Sequence, residues 1–159
     1  MTYTSFKLRD LQDLAEAKGR EYFKEKGLDC LPSTLLAIND ALKNVDDVNY
    51  ADPIVLKATS PLPAGFGVWE GPCGAVTAGS VAIGLKFSTS DVNDHVTINN
   101  AWKKSAEWLR WFKYQKFGSY NCFDIKATPF EMEKCTNFVT QSARKLVDIL
   151  TEGNPKVTR

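Results

Sequence analysis

Thr128-Pro-Phe-Glu-Met-Glu-Lys-Cys-Thr-Asn-Phe-Val-Thr-Gln-Ser-Ala-Arg-Lys-Leu-Val-Asp-Ile-Leu150 is the stretch that marks this chain as helical. Thr128 and Glu131 stand three apart as a capping box, with Pro129 at the first helical position, where a missing N–H does no harm. Phe138, Val139, Leu146, Ile149 and Leu150 then fall on one side at helical spacing, and Gly153-Asn-Pro155 ends the run. A long amphipathic helix over 128–150 is predicted.

The same reading extends towards the N-terminus. Ser5–Lys26 places Leu8, Leu11, Ala15, Tyr22 and Phe23 at helical intervals and stops at Gly27. Asp29 stands as cap for a helix over Leu31–Leu42, with Pro32 in its first turn. Asn44–Tyr50 is polar and reads as a turn, and Asp52-Pro53 as cap and first residue of a short helix over Ile54–Thr59. Ser60–Pro72 holds three Gly and three Pro in thirteen residues, too much punctuation for a long element.

Cys73–Lys86 is predicted as a helix rich in small residues: Gly74, Ala75, Ala78, Gly79, Ala82 and Gly84. Each interior Gly costs a helix about 1 kcal/mol relative to Ala, so their repetition implies close approach of another backbone or a bound group. Asn99–Phe117 is an aromatic, basic helix stopping at Gly118. No period-two run of β-branched residues interrupts this pattern. The expected fold is therefore all-α: a single domain over 1–159 of five to six helices. A Gly/Pro-rich loop precedes its central Gly-rich helix, and 154–159 are expected to be loose.

Composition limits the function classes. The 159 residues include 20 Lys+Arg against 19 Asp+Glu, a net charge of +1 that gathers neither nucleic acid nor anionic lipid. The longest apolar run, within Pro72–Leu85, is broken by Thr77 and Ser80 and too short for a membrane span. Met1–Asp10 carries no apolar signal-like stretch, so a cytoplasmic protein is expected. The one histidine, His95, excludes sites built from several imidazoles and reads as a loop or capping residue. Trp102, Trp108, Trp111, Phe112, Tyr114 and Phe117, interleaved with Lys103, Lys104, Arg110, Lys113 and Lys116, read as a core or dimer face beside a solvated basic face. That pattern permits a homodimer, or docking of an acidic redox partner.

The four cysteines carry the chemistry. Cys30, Cys73, Cys122 and Cys135 lie 43, 49 and 13 residues apart, with no C-x-x-C pair and no C-x-x-C-H haem motif. Three of them fall near predicted helix starts, where backbone N–H groups favour thiolate. The residues by themselves leave open a metal or cluster site, a working dithiol, or four unrelated buried thiols. No acid–base pair stands out, so they support no enzymatic assignment.

Gly65-Phe-Gly67, Gly71-Pro-Cys73-Gly-Ala-Val-Thr-Ala-Gly-Ser-Val-Ala-Ile-Gly84-Leu, Phe117-Gly-Ser-Tyr-Asn-Cys122 and Cys135-Thr-Asn-Phe-Val139, with Cys30 upstream, together resemble the C_GCAxxG_C_C family of redox proteins. The resemblance runs from about Arg20 to Leu150. Ala78 departs from the family's Gly, and Val68-Trp-Glu70 replaces a stretch usually richer in glycine. The family is related to the non-haem part of split-Soret cytochrome c. The resemblance thus implies that Cys30, Cys73, Cys122 and Cys135 ligate one iron–sulfur cluster, [2Fe–2S] ahead of [4Fe–4S], with amides near Gly74 and Cys135 stabilising its charge. It implies electron transfer or small-molecule reduction, with a redox partner protein or a small-molecule electron acceptor. The alternatives are a metal-free thiol–disulfide protein with Cys73 as attacking thiolate, and a scaffold in which zinc on the same cysteines is structural.

Overall fold

The computed structural model describes residues 5–126 and 131–159. Its last helix, α7 (Met132–Leu150), buries Thr136, Val139, Ala143, Leu146, Val147 and Leu150 along one stripe. That stripe packs on α1 (Leu8–Arg20), α2 (Cys30–Leu42) and α4 (Gly74–Phe87). Thr128, Pro129 and Phe130 of the expected capping box lie outside the described residues.

α2 is the centre of the hydrophobic core. Leu31, Leu35, Ala37, Ile38 and Leu42 are all buried, because an all-round apolar helix must be covered on every side. α4 crosses it, and its small residues let neighbouring groups come close. A Cβ on Gly79 would overlap the indole of Trp108, standing 2.8 Å from Cζ2, while one on Gly84 would meet nothing within 4 Å. Trp108 is fully buried and donates its indole N–H to the Val76 carbonyl at 3.0 Å. The close neighbour expected beside this helix is thus a side chain at Gly79, and among the described residues nothing approaches Gly84.

The all-α expectation holds, with refinements at helix ends. α3 (Pro53–Thr59) begins as read, the Asp52 carboxylate accepting from the Ile54 N–H at 2.8 Å. α1 runs on through a π turn over Glu21–Glu25 before Gly27, whose φ of +68° breaks the helix. Asp29 precedes α2 but makes no side-chain cap, and Cys30 rather than Leu31 is its first residue.

The aromatic helix starts earlier than the expected Asn99. α5 spans His95–Arg110 because Asp94 accepts from the Thr97 N–H at 3.1 Å, and it continues as a π turn over Trp111–Phe117 to Gly118, φ +82°. His95 is an exposed first helical residue and does not line the cavity that the cysteines share. Of the aromatic face, Trp108 and Phe112 are core, whereas Trp102 and Tyr114 are exposed.

The tail expected to be loose is held. Val157–Thr158 pairs in parallel with Phe6–Lys7, and the Arg159 guanidinium reaches Asp148 at 2.6 Å. Two-residue strands have too little pattern to show in a sequence. No described helix is long and apolar enough to cross a membrane.

Candidate functional site: four thiols on one cavity

Each cysteine is positioned by the start of a helix. Cys30 is the first residue of α2, Cys73 the N-cap of α4, and Cys122 the first residue of α6 (Cys122–Ile125). Cys135 stands in the first turn of the described α7. The loops before α4 and α6 are pinned to each other. The Cys73 N–H donates to the Tyr120 carbonyl at 2.8 Å, the Cys122 N–H to the Gly71 carbonyl at 2.9 Å, and the Asn121 amide to the Glu70 carbonyl at 2.6 Å.

All four side chains line one cavity of about 490 Å³, walled otherwise by Phe23, Asp29, Ala64, Trp69, Ile125, Lys126 and Phe138. No disulfide joins them. Among the described residues, no three His, Cys, Asp or Glu side chains are grouped closely enough to hold a single metal ion. The sulfurs share a chamber without closing on one point.

Glycine makes two of the close approaches. A Cβ on Gly74 would overlap Cys30 Sγ and lie 3.1 Å from the Leu31 N, so only Gly lets α2 and α4 meet with the sulfur between them. A Cβ on Gly65 would lie 3.0 Å from the Cys122 Cβ.

The electrostatics single out Cys30. The Cys73 thiol donates to it, as do the backbone N–H groups of Ala64, Gly74 and Leu31, and together they outweigh burial and lower its pKa to about 6. Cys73 is raised well above the ordinary thiol value by its hydrogen bond to Cys30, by burial and by the Cys30 charge. Burial raises Cys122, and pushes Cys135 up to about 11, with the negative charge of Cys30 adding to both and Lys126 opposing. The low-pKa thiol is thus Cys30, not Cys73 as expected for the metal-free alternative. The reason is tertiary: the amides that favour a thiolate come from three separate segments.

The sequence hid part of the site. Ala64, Phe66 and Trp69 adopt left-handed backbone with φ of 55°, 61° and 60°, each at a cost of about 1 kcal/mol or more. This contorted loop aims the Ala64 N–H at Cys30 and sets Trp69 on the cavity wall. The Lys126 ammonium lies 4.9 Å from the Trp69 ring centroid. Dense Gly and Pro punctuation in 60–72 was the one available signal.

Four cysteines around a common chamber, one pressed against the glycine that follows Cys73, match a known pattern. Residues 28–149 match the family described as "Putative redox-active protein (C_GCAxxG_C_C)". The chain belongs to this family. Neither a curated protein nor a solved structure matches it. In this C_GCAxxG_C_C protein the family's separated cysteines are brought to one cavity, and the Gly74 of its central motif is the point against which Cys30 packs.

Proposed function

We propose that the four thiols act together as the ligands of one iron–sulfur cluster, [2Fe–2S] or [4Fe–4S], in a protein that passes electrons to a redox partner or a small molecule. The observation carrying this reading is that Cys30, Cys73, Cys122 and Cys135, far apart in sequence, line one cavity. Four thiolates are the donor set that a [2Fe–2S] or [4Fe–4S] cluster takes.

Such a cluster supplies one-electron transfer. The chain's own groups hold and tune the sulfurs. The N–H groups of Ala64, Gly74 and Leu31 draw electron density from Cys30, which favours the reduced state and raises the potential. Phe23, Trp69 and Phe138 limit water around the sulfurs.

The pairing of Cys73 with Cys30 on one cavity, where it helps lower the Cys30 pKa to about 6, favours a second reading, metal-free exchange. The Cys30 thiolate would attack a disulfide substrate, forming a mixed disulfide and releasing one substrate thiol. Cys73, losing its proton, would then form the Cys30–Cys73 bond and release the second thiol; the substrate gains the two electrons the protein loses.

Anaerobic purification followed by iron, acid-labile sulfide, zinc and thiol analysis separates these readings. Iron with matching sulfide, lost together when any one of the four cysteines becomes Ser, is the expected result. Metal-free protein from anaerobic cells with a reversible two-electron titration of Cys30 and Cys73 would replace the cluster by exchange. Zinc alone would overturn both.

A further inference from the structure

We propose that the mouth of the cysteine cavity binds an uncharged aromatic dicarbonyl of the quinone class, seated against Trp69 and hydrogen-bonded by Lys126. The proposal rests on the redox reading of the site and names the acceptor it serves. A chamber of about 490 Å³ falls in the range of small-molecule pockets. Its described walls between the thiols are apolar and flat: Phe23, Trp69, Ile125 and Phe138.

Trp69 stays 53% exposed, held on that wall by a left-handed backbone residue. A large ring left half in the open at a conformational cost, beside a chamber walled by other rings, offers its uncovered part to a ligand. Lys126 is the one cation among the described lining residues and Asp29 the one anion. The Lys126 ammonium stands 4.9 Å from the Trp69 ring centroid and 5.9 Å from that of Phe123, so a cation and an indole lie together on the wall of the chamber.

Charge chooses the ligand class. Asp29 is anionic and no arginine lines the described wall, so a phosphorylated nucleotide would meet repulsion with a single lysine to offset it. A neutral ring meets none. Its carbonyl oxygen accepts from Lys126, and as reduction loads negative charge on that oxygen the bond strengthens. Overall the quinone takes two electrons from the site, one after the other where a cluster carries them, and two protons from water, and leaves as hydroquinone. Two molecules of a reduced one-electron carrier protein return the two electrons to the site.

The test is a titration of the purified full-length chain under argon. The probe is a naphthoquinone methylated at both free quinone-ring carbons, so that thiols cannot add to it. Binding is read by tryptophan fluorescence and equilibrium dialysis. Saturable one-to-one binding is expected, about tenfold weaker in Lys126→Met and near the parent value in Lys126→Arg, as for loss of one charged hydrogen bond. Trp69→Phe should keep the binding and lose part of the quenching. Uptake that is linear, or unchanged in Lys126→Met, overturns the proposal, as does tighter binding of a phosphorylated flavin than of the naphthoquinone. Iron and sulfide are measured on the same sample. Quinone bound without them leaves this proposal standing and removes the cluster; iron and sulfide without quinone binding do the reverse.

Discussion

Replacing Gly79 by Ala adds one methyl group at the tightest contact of α4, and the structure sets its cost. The new Cβ would sit 2.8 Å from Trp108 Cζ2 and nearer still to Nε1 and Cε2. Carbon atoms pack at about 3.5–4.0 Å, so the indole must retreat by about 1 Å. It has nowhere to go: Trp108 is fully buried, stacks on Trp111 at 5.3 Å and meets Phe112 at 5.8 Å. Overpacking costs about 1–3 kcal/mol, and a strained or lost Trp108-to-Val76 hydrogen bond about 1–3 kcal/mol more. Ala returns about 1 kcal/mol of helix propensity.

The net destabilisation expected is about 1–5 kcal/mol, centred near 3 kcal/mol. Gly84→Ala, in the same helix with open space around it, should instead stabilise by up to about 1 kcal/mol. Urea unfolding followed by circular dichroism measures both, and the two variants should differ by about 3 kcal/mol. Gly79→Ala with stability equal to or above that of the parent would refute the packing of α4 on Trp108.

Two further outcomes follow from named contacts. On the cluster reading proposed above, Gly74→Ala, which displaces Cys30 Sγ from the start of α4, should lower iron content at least tenfold while the helical signal and cooperative melting persist; iron content equal to the parent's would show that the sulfur's position there is immaterial. Tyr50 is fully buried, and burial, the Asp46 charge and its hydrogen bond to Asp46 at 3.0 Å all raise its pKa. Its contribution is therefore complete below the unfolded tyrosine value near 10 and is lost as pH rises beyond it, by about 1.4 kcal/mol per pH unit. Unfolding free energies between about pH 9 and pH 11 should fall less steeply in Tyr50→Phe than in the parent, and parallel curves would contradict the burial of a neutral phenol.

Much of the fold is legible locally because a helix is a local object. Asp52-Pro53, Gly27 and Gly118 act within one turn of chain, and the stripe on α7 repeats every three or four residues. Even the missed start of α5 was written locally, in Asp94. The candidate ligands were legible as well, since cysteine is scarce and its four positions carry a family pattern.

What those cysteines share was decided only in three dimensions. Sulfurs 43, 49 and 13 residues apart meet because α2 and α4 touch at Gly74 and because the segments before α4 and α6 bond to each other. The thiolate preference of Cys30 is built by amides of Leu31, Ala64 and Gly74, groups every residue but proline possesses and which no residue type announces. Side-chain identity and periodicity are properties of the chain; proximity, burial and the direction of a backbone N–H are properties of its packing.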